Sequence, residues 1–493
     1  LVPFLAAAIG CGGSGNGVAG PDGGAGSGGR GGAGGGEANG AGGDGGTSGA
    51  GGGGTNGGAA GFDGGAGGAG GGGGSDAQCS AVWGGDLLLG TAADDQILGM
   101  TADDDGNIFV SGYEQGIVGV SANNIDPDGD ARAIVAKLAP TGAVLWKAVL
   151  DTPATDTAED VAVDRASGNL VVAGRTSGAF PTFVNQGQFD IFLALLDPAG
   201  NPLTVFQTGN ERPQHPARLS LGSGGAVTMA GWDDTYIPSN YVAANEDGLL
   251  ADFTIGPAPH HAVTLTSLQY TITPPSANAP FSYATGVAAA RDGSGDRFVT
   301  FSVPSNTHGS HGNFVSRLRP DQSSVWTDLV SDLPVDAVTA VALSPAGDLF
   351  VIGGTFLTLG AQAFGQEDAF LVELDKDTGA LVWAAQAGGP DSDYPTALAF
   401  DAAGNIYVAG TTLGSVVAGV TNQGQADVFV MKFSPAGALL SAWQTGTSAD
   451  DQATSLAVDR CGNAFVGGYT RGAIVPGRSS LGGEDMFVLE AKL

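Results

Sequence analysis

Asp393-Tyr-Pro-Thr-Ala-Leu-Ala-Phe-Asp401-Ala-Ala-Gly404-Asn405-Ile-Tyr-Val-Ala-Gly410-Thr-Thr412 returns, with small changes, as Asp451-Gln-Ala-Thr-Ser-Leu-Ala-Val-Asp459-Arg-Cys-Gly462-Asn463-Ala-Phe-Val-Gly-Gly468-Tyr-Thr470. In both, a short apolar run ends in Asp, a Gly-Asn pair follows, and a second run of β-branched and aromatic residues begins. That is the grammar of a hairpin, in which Gly supplies the positive φ of the tight turn and Asp caps it.

The same phrase recurs along the chain. It is clear at Asp103–Gly112, Asp160–Gly174 and Val341–Gly353, and worn at Leu219–Gly231 and Val287–Thr300. Its turn glycines are Gly106, Gly168, Gly224, Gly295, Gly347, Gly404 and Gly462. A mean spacing of about 59 residues suits a four-stranded propeller blade with extended loops. A third run opens on Asp, as in Asp190-Ile-Phe-Leu, Asp368-Ala-Phe-Leu, Asp427-Val-Phe-Val and Asp485-Met-Phe-Val. A fourth ends the unit, typified by Gly379-Ala-Leu-Val-Trp383. Five of the six Trp (Trp83, Trp146, Trp326, Trp383 and Trp443) occupy this fourth-strand position, and Phe206 fills it in the second unit. A large flat ring there can pack between neighbouring blades. No segment carries a 3.6-residue apolar period, so the class is all-β.

The last unit stops after its third strand. Ala81-Val-Trp83-Gly84-Gly85 has the Trp and Gly-Gly of a fourth strand, which predicts a seven-bladed β-propeller closed by an N-terminal strand. In such a blade the first and third turns share a face, which would bring Cys79 beside Cys461. A disulfide there would close a loop of about 380 residues, nominally ~5 kcal/mol by loop entropy; two separate thiols are the alternative.

The front of the chain reads differently. Residues 1–10 form a short apolar run ending in small residues before Cys11, similar to the end of a bacterial lipoprotein signal peptide in which Cys11 is lipidated. The charged leader is missing and the chain opens on Leu, so the start reads as truncated. An ordinary cleaved signal with a free Cys is the alternative. Residues 11–78 are mostly Gly with almost no large apolar side chains, the composition of a disordered tether. The propeller is assigned to 79–493.

The repeat resembles the bacterial β-propeller repeat family known as SBBP, with its Asp-x-x-Gly-Asn, Gly-x-x-Asp-φ-Phe and Trp…Gly-Gly signatures. The resemblance runs from Cys79 to Leu493 and is weak in units three and four. It implies a propeller on a secreted or surface protein and carries no catalytic residue. With Cys11 and the tether it implies a Gly-rich surface lipoprotein, and Gly12 favours sorting to the outer membrane.

A net charge of −32, from 50 acidic and 18 basic residues, disfavours nucleic acid. Chemistry-bearing motifs are sparse. Asp126-Pro-Asp128-Gly-Asp130 mimics the start of a calcium loop, without its sixth-position Gly or later Glu. His308 and His311 stand three apart, among five His all lying between His215 and His311; they are weak metal candidates beside ordinary loop histidines. Asp103-Asp-Asp105 and the other repeat aspartates read as turn caps. No nucleophile elbow or phosphate loop is present. The stretch Gly256–Ala284, with the loops between second and third strands, reads as a ligand face or a passive connector. The expectation is therefore a lipid-anchored binding, adhesion or scaffold module, its ligand a protein or carbohydrate, with no cofactor other than the calcium that Asp126–Asp130 would hold. The rival is a metal-dependent hydrolase or lyase with a site in the central channel.

Overall fold

A computed structural model describes residues 83, 85–115, 131–235, 245–269, 285–303, 312–329, 337–359 and 364–493. Within them, seven four-stranded antiparallel sheets follow one another along the chain. We label the strands of each blade A to D. Six blades are continuous, spanning 95–150, 156–208, 214–269, 285–329, 337–387 and 393–445. The seventh takes strands A to C from 451–491 and its outer strand from Leu87–Leu89, which pairs antiparallel with Asp485–Ala491. The ring is closed by a strand from before blade one.

The closing strand sits later than Ala81–Gly85. Trp83 still behaves as a fourth-strand Trp: it is 7% exposed, packs on Phe465 at 4.7 Å and lies against Gly142 of blade one. Other blades repeat the contact. Trp146, Trp326 and Trp383 lie on Gly200, Gly379 and Gly437, each in the third turn of the next blade. These glycines have positive φ, so a side chain there would be strained and would also displace the indole. Trp146 and Trp326 add indole N–H bonds to the carbonyls of Pro198 and Lys376, at 3.1 and 3.0 Å.

Strands B and C are buried almost throughout; Leu349–Thr355 and Asp190–Leu196 have no exposed residue. A strand buried on both faces belongs in the middle of a wedge, and the core follows from that. One apolar cluster joins Phe350, Ile352 and Leu371 of blade five to Leu398, Phe400 and Phe429 of blade six. Apolar burial therefore holds blade to blade as well as strand to strand.

The first turns are capped as the sequence implies. Asp401 Oδ1 accepts the N–H groups of Ala403 and Asn405 at 3.0 and 2.9 Å, while Gly404 takes φ +78°. Gly256–Ala284 is not one long loop, because it contains strand D of blade three, Val263–Gln269. In place of Trp that strand packs Leu265 and Leu268 inward.

One feature of the ring was not legible beforehand. Every A strand carries a β-bulge, at Leu98, Glu159, Ala217, Val287, Thr339, Thr396 and Thr454. A bulge bends and twists a strand, and these seven surround the axis.

Candidate functional site

The A strands line a central cavity of about 70 Å³, bordered by Leu98, Met100, Leu219, Val341, Leu398 and Leu456 among others. One charged pair interrupts the apolar wall. Asp160 accepts N–H bonds from Leu219 at 2.8 Å and Val161 at 2.9 Å. Burial pushes its carboxyl up, against the pull of Arg218. Arg218 reaches across the ring to the carbonyl of Thr454 in blade seven, at 3.3 Å.

The mouth of this channel, where A strands begin and B strands end, is more informative. There the second residue of strand A pairs with the residue that follows the strand-B Gly. The pairs are Gln96 with Tyr113, Thr157 with Arg175, His215 with Trp232, and Gln452 with Tyr469. Stacking, hydrogen bonds and an ion pair join the groups of blades three and two, a hydrogen bond joins those of one and seven, and the charge of Glu159 acts on Tyr113 across the gap between them. His215 stacks on Trp232, ring centroids 5.1 Å apart and 8° from parallel. Arg175 bonds His215 Nδ1, pairs with Glu159 at 3.2 Å and covers the Phe189 ring at 5.0 Å. Burial, then the charges of Glu484 and Asp94, raise the Tyr113 hydroxyl pKa; burial and Glu484 push Tyr469 up to about 12. Glu484 is itself held by Gln96 and, at 2.6 Å, by Arg471.

Seven of the eight paired residues are partly exposed, Thr157 alone being buried, so this arc is a surface and not core. It offers flat aromatic faces beside amide, carboxylate, guanidinium and imidazole groups. That combination holds a ligand by stacking and hydrogen bonding together. The corresponding pairs of blades five and six are Ala337 with Gly354 and Tyr394 with Thr411, which offer far less.

Apart from His215, none of these residues stood out in the sequence, because the four pairs come from four different units. The signal was present in the sixth Trp, the one outside the fourth-strand slot. Of the residues singled out beforehand, Cys11, Cys79, Asp126, Asp128, Asp130, His308 and His311 lie outside the described residues. The remaining histidines are not gathered together. His215 sits at the mouth, and His260 and His261 occupy the third turn of blade three, on the opposite face. Among the described residues no group of three or more His, Cys, Asp or Glu is placed to hold a metal. Cys461 is disulfide-bonded, with its partner sulfur outside the described residues. It shares a surface pocket with Trp83, four positions beyond Cys79.

Two stretches, 382–416 and 439–474, match the family description "Beta-propeller repeat", SBBP. Both stretches are similar to that repeat. Each match starts in strand D of one blade and runs through strands A and B of the next, so the SBBP unit is offset from the structural blade and spans the seam between two blades. Comparison with curated proteins finds no match. Among solved structures, the chain is similar to a protein of unknown function from Bacteroides caccae, with 14% identity and a TM-score of 0.33 over 61% of this chain and 93% of that one.

Proposed function

We propose that this protein is a surface-displayed binding module, anchored through lipidated Cys11 on the outer membrane or cell surface of a bacterium, that takes its ligand at the channel mouth. The observation that carries the reading is the contact chain Trp232–His215–Arg175–Glu159, continued by Tyr113 and Tyr469. Side chains from four blades make one polar-aromatic surface on a rigid ring. The surrounding face adds exposed apolar side chains in the loops between strands B and C, including Val184, Phe356, Phe364 and Leu413. Such loops on a rigid scaffold are common binding elements. Aromatic faces beside fixed hydrogen-bonding groups suit a neutral carbohydrate, and the charge of −32 disfavours a polyanion. The Gly-rich segment would let an anchored propeller stand off the membrane. A disulfide from Cys461 to Cys79 would lock the closing strand in an oxidising compartment.

The test is a glycan-array screen with the full chain, repeated on Trp232→Ala and Arg175→Ala. Specific retention that falls at least tenfold in both variants, with melting unchanged, supports the site. Retention unaffected by either variant removes the mouth from the account. Globomycin treatment tests the anchor: unaltered processing and membrane fractionation would remove Cys11.

A further inference from the structure

At four of the seven seams a Gly follows strand D of one blade and strand A of the next opens five residues after it. At three of these four, strand C of the first blade and strand A of the second both start with a buried acid. Between blades five and six these are Asp368 and Asp393, 1% and 0% exposed. A Cβ added to Gly388 would stand 2.5 Å from Oδ1 of Asp368 and 2.5 Å from Oδ2 of Asp393, so the two carboxyls converge on one point. Asp393 Oδ2 accepts the Gly389 N–H at 2.6 Å, and Asp368 Oδ2 accepts Gln386 Nε2 at 2.7 Å and the Phe364 N–H at 2.8 Å. Asp368 Oδ1 has no hydrogen-bond partner, while the Thr412 hydroxyl bonds the Asp393 carboxyl. Among the described residues neither carboxyl has a Lys or Arg partner.

The ring-closing seam repeats the arrangement. Gly90 stands where Gly388 does, its added Cβ 2.8 Å from Asp95 Oδ2 and 3.1 Å from Asp485 Oδ1. Both acids are 0% exposed, and Asp485 Oδ1 is unpartnered. Between blades six and seven the pair is Asp427 and Asp451, both 0% exposed. Between blades two and three the second acid is replaced by Gln214. Its Nε2 is committed to Asn210 Oδ1 at 2.7 Å and to the Arg212 carbonyl, so its unpartnered Oε1 turns with Asp190 Oδ1 toward Gly209. At three seams, then, an oxygen with no donor of its own (Asp368 Oδ1, Asp485 Oδ1 or Gln214 Oε1) converges on an oxygen that already accepts a backbone N–H (Asp393 Oδ2 from Gly389, Asp95 Oδ2 from Thr91, Asp190 Oδ1 from Gln186).

We propose that a proton, held between the two facing oxygens, completes each of these seams, and that the ring is therefore clamped more firmly in mildly acidic surroundings than in alkaline ones. Two buried carboxylates facing one another in a dry seam repel, and one shared proton converts that repulsion into a charge-assisted hydrogen bond. The neighbouring charges agree. Asp393 faces Asp368 and Asp391, while its backbone N–H donates to the Glu367 carbonyl at 2.6 Å. Asp95 faces Asp485 and Glu114; Glu114 is paired with Lys147 at 2.7 Å, and Glu484 is paired with Arg471 at 2.6 Å. Burial, above all, pushes Asp95 and Asp393 up to about 6. The folded pKa lies above the ordinary 3.8, so the folded state binds the extra proton. Its stabilisation is complete below the ordinary value and is lost as pH rises through about 6.

The experiment is equilibrium unfolding of the full chain from pH 5 to pH 8, in wild type and in Asp368→Asn. A protein of net charge −32 also gains stability on acidification through relief of general repulsion, so the difference between the two curves is the quantity read. An amide at 368 can put its NH2 in place of the unpartnered Oδ1 and donate to Asp393 Oδ2 at every pH, its oxygen still accepting from Gln386 and Phe364. The expected result is a wild-type unfolding equilibrium that shifts about tenfold to a hundredfold further over that range than the variant's, with the variant at least as stable at pH 8. Parallel curves, or a variant destabilised at pH 8 but not at pH 5, would overturn the proposal. So would loss of wild-type stability in EDTA, which would put a metal cation where the proton is placed. Should the variant not fold, infrared spectra of the wild type at pH 5 decide: a protonated buried carboxyl band that vanishes by pH 8 is expected, and its absence is fatal.

Discussion

The seam between blades five and six and the seam between blades three and four do the same job with different chemistry. At five and six, Trp383 lies on Gly437, Phe350 packs on Phe400 at 5.4 Å, and two acids converge beside Gly388. At three and four the D-strand Trp is gone. A buried ion network holds the wedges instead: Asp252 of blade three takes Arg297, 1% exposed, on Oδ2, with Thr228 at 2.7 Å and Arg291 at 3.5 Å on Oδ1. The lesson is that a worn repeat is not an empty one. Where the apolar seam was lost, charges were buried and paired, and the ring kept its count.

The comparison is broken most sharply at Asp252. Asp252→Ala strands a nearly inaccessible guanidinium, and losing one partner of a buried pair costs about 3–5 kcal/mol; chemical denaturation should show that loss. At the regular seam the matching cut is Trp383→Ala. Its ring is only half-buried, so the expected loss is smaller, about 2–3 kcal/mol, below the usual range for a fully buried Trp. If Trp383→Ala proves the more damaging, the ion network is ornamental and the worn seam is held by its apolar contacts alone.

The difference between the seams also explains what could be read in advance. Blade number, turn caps and the packing of Trp between blades were legible because each is carried by a short phrase that recurs. The closing strand was misplaced because Trp83-Gly84-Gly85 looks like Trp383…Gly388-Gly389. The better marker was the spacing from seam glycine to strand-A acid, which Gly90 and Asp95 share with Gly388 and Asp393. Repeat aspartates read as turn caps proved to be two populations: Asp401 and Asp459 do cap turns, while Asp393 and Asp451 are buried in seams. A one-dimensional pattern cannot separate them, since both are an Asp beside an apolar run. The arc at the mouth was illegible for a further reason: it is made of departures from the repeat, and self-similarity hides those.

Two glycine substitutions refine the contrast at smaller amplitude. Gly388→Ala drives a methyl into the space shared by Asp368 and Asp393, and overpacking there should cost about 1–3 kcal/mol. The loss should be similar at pH 5 and pH 8, because a methyl clashes with the protonated pair as it does with the ionised one. Gly293 lies in the first turn of worn blade four, where an added Cβ meets nothing within 4 Å and φ is outside the left-handed region. Gly293→Ala should therefore stabilise the protein by about 0.4–1 kcal/mol, through the unfolded chain. Melting of the two variants side by side checks both signs. A Gly293→Ala variant as damaged as Gly388→Ala would mean that the turn of a worn blade is as tightly built as a seam, and the distinction between worn and regular repeats would no longer be a distinction in packing.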